Sequence, residues 1–519
     1  MRNDDTASSG FCPFTRRGFL AAGLALASCQ PRRSTRRWTG GIVGASHQAG
    51  HVLREASMSF AAPASTEKAD VIVVGGGMSG LIAAWRLQQA GRRPLVLELE
   101  PHLGGNSASG TASGMAHPWG AHYVPVPSAE MEDVCAVLGE LGLGRPGAWR
   151  EDMLCHDPHE RLWMRGQWQE GLVPEYGISA DDRVQIQRFA AQMADFKNSR
   201  GADGRRAFCL PVAHCSHDAA FTALDEITMS AWLDAHGFTS EELLWHVDYC
   251  CRDDYGAGIA HVSAWAGIHY FASRPDGDVF TWPEGNGWIV QRLRERLAIP
   301  PRSGHLVVRA TPEGEVTALD VAARQLHRWQ AEAIVWAAPR FVARRVAEHL
   351  PAVEPFDYSP WMVATLTTRQ PLSAVWDNVL RRSRSLGYIM ADHQRQAFPS
   401  LSPAPAVATY YLPLDGAPPP QAREHALALG YDDWCEMILD DLRGPHPDLA
   451  ENLLHLDVWL WGHGMVRPTP GVMFDGRRAL LQRDHGRITF AHTDLSGLSL
   501  FEEACHWGNV AARRILSQA

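Results

Sequence analysis

Lysine is almost missing from this chain. Lys68 and Lys197 are the only two among 48 Lys and Arg residues in 519, so arginine carries nearly all the positive charge. The formal net charge is −10, which argues against a nucleic-acid partner, since that requires clustered basic surface. No C-x-x-C pair occurs, so neither a zinc knuckle nor a thioredoxin motif is present, and no metal site is expected. Ten widely spread cysteines are too sparse for a disulfide scaffold. Cys209 and Cys215 are spaced for a small-loop bridge, and most of the others read as buried apolar residues. There is no internal repeat and no second hydrophobic span. What the chain does have is 45% apolar residues over a long sequence, enough to bury a large core, with two or more lobes expected.

The first thirty residues read as an address. Thr15-Arg16-Arg17-Gly18-Phe19-Leu20 resembles a twin-arginine export signal. The weakly apolar stretch after it, residues 19–28, is too short to span a bilayer. Leu26-Ala27-Ser28-Cys29 resembles a lipobox, in which Cys29 would become a lipidated N-terminus. The alternative is an ordinary cysteine near a different cleavage point. The expectation is a periplasmic protein, exported folded with its cofactor, either free or anchored to a membrane through Cys29. Residues 1–29 are thus set aside as signal, and 30–68, rich in Arg, Gly, Ser and Ala, as a linker with a docked arm.

Residues 70–87, DVIVVGGGMSGLIAAWRL, carry the clearest chemistry. The apolar run at 71–74 reads as a buried parallel strand. Gly75-x-Gly77-x-x-Gly80 follows at once, and Leu81, Ala84 and Leu87 recur at helical spacing. RRPLVLELE (92–100) reads as the second strand and ends with Glu98, 23 residues after Gly75, where a ribose-binding carboxylate belongs. Gly75 permits the tight turn, Gly77 lets a pyrophosphate approach the backbone, and Gly80 lets helix and strand pack. The helix start, with Ser79 in its first turn, offers free N–H groups to phosphate.

The following residues narrow the dinucleotide. EPHLGGNSASG (100–110), with Gly104, Gly105 and Asn106, is similar to the extension beyond the dinucleotide fold in flavoproteins of the glutathione-reductase-2 class. That class includes amine oxidases, protoporphyrinogen oxidases and carotenoid desaturases. HPWGAHYVP (117–125) resembles its isoalloxazine segment, with Gly120 and Ala121 as the small residues. Residues 303–321 resemble its β-meander, where Val308 would meet the adenine, and Ala337 ends the returning strand. GRITFAHTDLSGLSLFEEACHWGNVAARRIL (486–516) resembles its last flavin motif. In that motif Asp494 would contact the ribityl–phosphate region, and the helix beginning near Leu500 would point its positive end at the flavin. The resemblance implies FAD as cofactor. It also implies an α/β fold: a Rossmann-like FAD-binding domain (69–125, 278–345 and 475–519) interleaved with an α+β substrate domain carrying a mixed sheet (126–277 and 346–474). No second GxGxxG unit is present for NAD(P)H.

An FAD-dependent oxidoreductase follows from the resemblance, acting on a small-molecule amine or another activated C–H bond and passing electrons to oxygen or a quinone. The alternatives are a desaturase or dehydrogenase of an apolar substrate, or a flavin-bearing assembly protein without turnover. Three positions depart from the amine-oxidase pattern: Asn106 stands where Arg is common, no Lys is available near Met362 where many relatives hold one by flavin N5, and the aromatic pair is imperfect at Leu500-Phe501. Candidate catalytic side chains are His122, Trp461 and His463. Arg467 could bind a substrate carboxylate, and reads more simply as a partner for an acid. Asp253, Asp254 and Tyr255 could bind a cationic amine or form a solvated turn before Gly256.

Overall fold

Residues 71–73 are fully shielded from solvent, and Val74 nearly so. They end the strand Thr66–Val74, which is flanked on both sides by parallel partners, as a β-branched run buried on two faces requires. On one side Val71, Ile72, Val73 and Val74 pair with Pro94, Leu95, Val96 and Leu97. On the other, Val71 to Val74 lie beside Ala333 to Trp336 of the long strand Gln325–Trp336. That strand also pairs in parallel with Ile488–Phe490 and continues outward as a meander through Glu315–Asp320 and His305–Ala310. The helix Met78–Gln89 packs on this sheet, and the C-terminal helix Phe501–Ser517 packs on it in turn. A Cβ at Gly508 would meet the Ser79 carbonyl oxygen at 2.6 Å, so the two helices cross too closely for any side chain there. The fold is thus α/β with a Rossmann-like core.

The second sheet has eight strands in the order Ile42–Gly44, Leu453–Val466, Tyr358–Thr368, Ala406–Pro413, Tyr388–Met390, Asp377–Leu380, Glu160–Met164 and Gln167–Glu170. It mixes parallel and antiparallel pairs. One face packs on the helix Tyr431–Leu442 through Trp434 and Ile438. The other meets Trp245 and Tyr249 of the helix Glu241–Tyr255. That helix ends at Gly256 with φ +62°, a left-handed C-cap that glycine supplies without strain. Asp253 and Asp254 therefore occupy its last turn, and Asp254 is buried. This corrects the reading of that pair as a solvated turn.

The structure, a computed structural model, describes residues 37–54, 63, 65–156, 159–275, 277–353, 356–390 and 405–518. The twin-arginine and lipobox segments lie outside the described residues. The docked arm is seen as a short strand, Ile42–Gly44, at the edge of the large sheet, followed by the helix His47–His51. No described helix is long and apolar enough to cross a membrane.

Candidate active site

The two sheets border a cavity of about 1200 Å³. The glycine turn forms one wall. Gly75 has φ +103°, and a Cβ there would sit 3.0 Å from the Ala337 carbonyl, so only glycine fits. A Cβ at Gly80 would approach the Gly75 carbonyl oxygen to 2.0 Å, which makes this glycine a helix–strand contact and keeps it off the cavity wall. Gly77 differs: a Cβ there meets nothing nearer than 4.0 Å. It caps the helix Met78–Gln89 and borders the cavity beside Ser79, so its open side is free for a ligand.

Gly104 donates its N–H to the Gly76 carbonyl at 2.8 Å and stacks the second glycine pair on the first. Gly105 and Asn106 follow along the cavity. The Asn106 amide donates to the Gly464 carbonyl, tying this loop to the large sheet, while its own carbonyl accepts from Ala121 N–H at 2.8 Å. A Cβ at Gly120 would lie 2.2 Å from that carbonyl oxygen. Gly120 thus serves the loop contact, and Ala121 borders the cavity.

Glu98 accepts from Gly76 N–H at 2.6 Å and from Glu100 N–H at 2.8 Å, one bond per carboxylate oxygen. Each oxygen keeps a lone pair, so hydroxyl donors can still be accepted. Burial pushes this carboxyl up against the opposing backbone bonds. Asp494 is fully buried. One of its oxygens accepts from Arg340 N–H at 2.8 Å and from the Tyr358 hydroxyl at 2.5 Å, and the other lies 2.9 Å from His492 Nδ1. Burial alone would raise its carboxyl, but His492, Tyr358 and the Arg340 amide outweigh that and hold it below its ordinary value. The start of the C-terminal helix, at Leu500, Phe501 and Ala504, closes this side.

Asn286 was missed in the sequence. It is buried to 1% exposure, borders the cavity, and neither its amide nitrogen nor its amide oxygen has a hydrogen-bond partner. An unpaired buried amide costs about 1–3 kcal/mol. A ligand with its own donors and acceptors would remove that cost. Its one sequence signal was its place between the turn glycines Gly285 and Gly287, at the start of the helix Gly287–Arg296.

Two expected positions fall elsewhere by one residue. The register slips between Val307 and Arg309, so Val308 is the extra residue of a β-bulge and Leu306 and Val307 border the cavity instead. Met362 turns into the opposite core, between Leu412 and Leu460. Its neighbour Trp361 borders the cavity, with its indole N–H unpartnered. No lysine borders the cavity.

Of the catalytic candidates, Trp461 and His463 border the cavity. Trp461 donates to the Trp119 carbonyl at 2.8 Å and packs 5.2 Å from the Trp459 ring. His463 stacks on Phe341 at 4.3 Å. Burial, together with Arg423, Arg54, His51 and Arg345, pushes it down to about 3, so its ring is neutral at physiological pH. His122 lies apart, in an aromatic cage of Tyr123, Trp376 and Tyr411 at centroid distances of 4.8, 5.5 and 5.5 Å. Burial pushes it down to about 3 as well. Arg467 bonds the Ser359 hydroxyl at 3.1 Å and has no ion-pair partner among the described residues, contrary to the expected acid pairing. Cys209 and Cys215 are free thiols 3.5 Å apart.

Fold and cavity together define a Rossmann-type dinucleotide-binding protein whose second sheet borders the same cavity. An NAD(P)-binding Rossmann-like domain family matches residues 73–141. The chain resembles the solved structure of putrescine oxidase bound to putrescine with a TM-score of 0.64 at 16% identity, covering 87% of this chain and 100% of that one. Against cyclohexylamine oxidase from Brevibacterium oxydans the TM-score is 0.62 at 17% identity, over 87% of this chain and 99% of that one. The fold is therefore that of these amine oxidases. Among curated proteins, the all-trans-retinol 13,14-reductase of Macaca fascicularis is 41% identical over 73 residues, 14% of this chain. AofH of Mycobacterium tuberculosis, named as a flavin-containing monoamine oxidase, is 25% identical over 192 residues, 36% of this chain. The chain spans 12% and 38% of the length of these two relatives.

Proposed function

We propose that this protein is an FAD-dependent oxidoreductase that oxidises an amine-type small molecule and passes the electrons to oxygen or a quinone. The observation carrying this reading is the unpaired Asn286 amide, buried in a cavity that also receives the open glycine turn and two helix starts, inside the fold of the amine oxidases. The matched domain family is described for NAD(P), but it reaches only residue 141. The rest of the cavity wall includes Asn286, and Asp494 and Leu500 from the C-terminal segment that resembles a flavin motif.

When bound, FAD supplies a hydride acceptor for a substrate C–H bond. The chain's own residues have separable tasks. Glu98 accepts ribose hydroxyls with its remaining lone pairs, and the N–H groups at Gly77 to Ser79 take the diphosphate. Asp494 holds the Arg340 amide and Tyr358 in place. Trp361 and Trp461 supply flat apolar walls that exclude water and favour the uncharged amine. His463, neutral and stacked on Phe341, can accept a hydrogen bond from a substrate N–H.

The purified protein is expected to carry flavin absorbance, which an amine bleaches under anaerobic conditions. Absence of any bound flavin would remove the cofactor assignment. Retention of oxidised flavin across aliphatic, aromatic and amino-acid amines would remove the amine assignment. Export by the twin-arginine route, with Cys29 as a lipid anchor, is proposed on the Arg16-Arg17 motif and the segment before Cys29. Replacing both arginines with lysine is expected to trap the protein in the cytoplasm, and normal export of that variant would refute the route.

A further inference from the structure

The outer meander of the nucleotide sheet gathers three metal-ligating side chains that the oxidoreductase reading does not use. Where His305–Ala310 pairs with Glu315–Asp320, His305 lies directly opposite Asp320, and Val307 opposite Ala318. Where Glu315–Asp320 pairs in turn with Gln325–Trp336, Ala318 lies opposite His327. Opposite residues share a sheet face, and so do residues two apart on one strand. His305, Asp320 and His327 therefore stand on one face of three adjacent strands. His327 is diagonal to Asp320, a spacing of about 7–8 Å that long side chains cross. Beside them the middle strand offers only the methyl group of Ala318. One ligand atom from each of the three residues lies within 4.8 Å of the other two, and all three residues are half-buried, within reach of solvent ions.

Two further contacts prepare these side chains. His305 Nδ1 lies 2.8 Å from the Ser303 carbonyl. A carbonyl can only accept, so Nδ1 carries the hydrogen and Nε2 of the neutral ring presents its lone pair. A backbone carbonyl that fixes the tautomer and the ring angle in this way is the usual outer partner of a metal-bound histidine. Asp320 Oδ1 accepts from Ala323 N–H at 2.8 Å, in the turn that leads to the His327 strand, which leaves Oδ2 free. His327 has no hydrogen-bond partner among the described residues, and its ring is steadied by stacking 5.9 Å from Trp329.

The three residues face one another without bonding. Among the described residues no hydrogen bond or ion pair joins either histidine to Asp320, and no arginine or lysine pairs with Asp320. Bonds of about 2.0–2.2 Å to a tetrahedral zinc ion set its ligand atoms roughly 3.4 Å apart. Side-chain rotations that move each atom by about 1 Å would close the present gap onto such an ion. Two imidazoles and one carboxylate suit zinc and its transition-metal neighbours, whereas magnesium and calcium favour oxygen ligands. The absence of C-x-x-C spacing, which argued against a metal from the sequence, does not bear on ligands drawn from three strands. His305 also borders the cofactor cavity, and its peptide N–H donates to the Glu98 carbonyl at 2.7 Å. An ion held here would fasten the meander beside the strand that ends in Glu98.

We propose that His305, Asp320 and His327 bind one divalent transition-metal ion of the zinc class, with water in the fourth position, and that the ion staples the three strands of the meander. The test uses the full-length holoenzyme after treatment with a chelator. Zinc chloride is titrated by calorimetry and by thermal unfolding, and magnesium chloride serves as the control. One zinc ion per chain should bind at this site. At a hundredfold excess over its Kd it should raise Tm by roughly 2–3 °C. Amide hydrogen exchange should slow in residues 303–327, and magnesium should do neither. His305→Gln and His327→Gln should each weaken zinc binding by more than the roughly 10–100-fold that loss of an outer partner costs. Asp320→Asn keeps an acceptor for Ala323 N–H, so the turn should survive while zinc affinity falls and the zinc-dependent Tm rise is lost. Unchanged zinc affinity in the histidine variants would overturn the proposal, because the ion would then be held elsewhere, for example by the neighbouring thiols of Cys209 and Cys215. Equal binding of magnesium, or exchange protection confined to other segments, would overturn it as well.

Discussion

Gly77→Ala and Gly80→Ala look alike in sequence and should behave in opposite ways. At Gly77 the backbone has φ −74° and a new Cβ meets nothing nearer than 4.0 Å. Alanine there loses about 1 kcal/mol of helix-capping preference and regains about 0.4–1 kcal/mol through the unfolded chain. The cofactor-free protein should therefore be almost unchanged. Unfolding entropy is about 2.1 cal/mol/K per residue, or roughly 1.1 kcal/mol/K over 519 residues. A net change of a few tenths of a kcal/mol then moves Tm by less than about 1 °C. The new methyl does occupy the space left for the diphosphate. A tenfold to hundredfold loss of FAD affinity is about 1.4–2.7 kcal/mol, and the holo Tm should drop by roughly 1–3 °C through lost ligand stabilisation. Gly80→Ala instead drives a Cβ to 2.0 Å from the Gly75 carbonyl. It should cost about 1–3 kcal/mol or more in the cofactor-free protein too. The assay is thermal unfolding with and without added FAD, together with titration of flavin fluorescence. Wild-type FAD affinity in Gly77→Ala would falsify the assignment of its open side to the cofactor, as would a cofactor-free Tm several degrees lower.

Asn286→Ala should leave the cofactor-free protein as stable as wild type or slightly more so, since it removes a buried amide with no partner, while weakening FAD binding about tenfold. A loss of more than about 2 kcal/mol without cofactor would show that the amide is structurally paired. His122 and His269 are both pushed down to about 3 by burial, against about 6.5 in an unfolded chain. Each stays neutral in the fold, so its stability contribution is complete above about pH 6.5 and is lost as pH falls toward 3, at about 1.4 kcal/mol per pH unit. Chemical denaturation between about pH 6.5 and 4.5 should show this slope, and His122→Phe should remove one proton's worth of it. An unchanged slope would mean that His122 reaches solvent.

The nucleotide half was legible because its signals are local. The run at 71–74, the glycine turn and Glu98 sit within one βαβ unit, and each has a reason that neighbouring residues supply. Errors arose where one residue of register decides the outcome. The Val308 bulge is a local break of register in the hairpin with Glu315–Asp320, and the side to which Met362 turns depends on pairing with strands far along the chain; a period-two pattern is blind to both. Asn286 was invisible for a different reason: its significance is a missing partner, and no sequence records what a side chain fails to touch. The Asp253-Asp254 pair was ambiguous because two acids before glycine suit either a turn or a helix end, and burial by the large sheet decides for the helix.

The short strand Ile42–Gly44 has a consequence for anyone trimming this protein. It covers the edge of the 14-residue strand Leu453–Val466 with only three residues. A long open edge is a template for pairing with another chain, whereas a short one is a poor template. The same arm brings His47, His51 and Arg54 to the cavity rim. A shortened version starting at the glycine-turn strand would keep every residue of the dinucleotide motif and lose the edge cover. Its first fault would be colloidal: it would self-associate at concentrations where the longer protein stays dispersed.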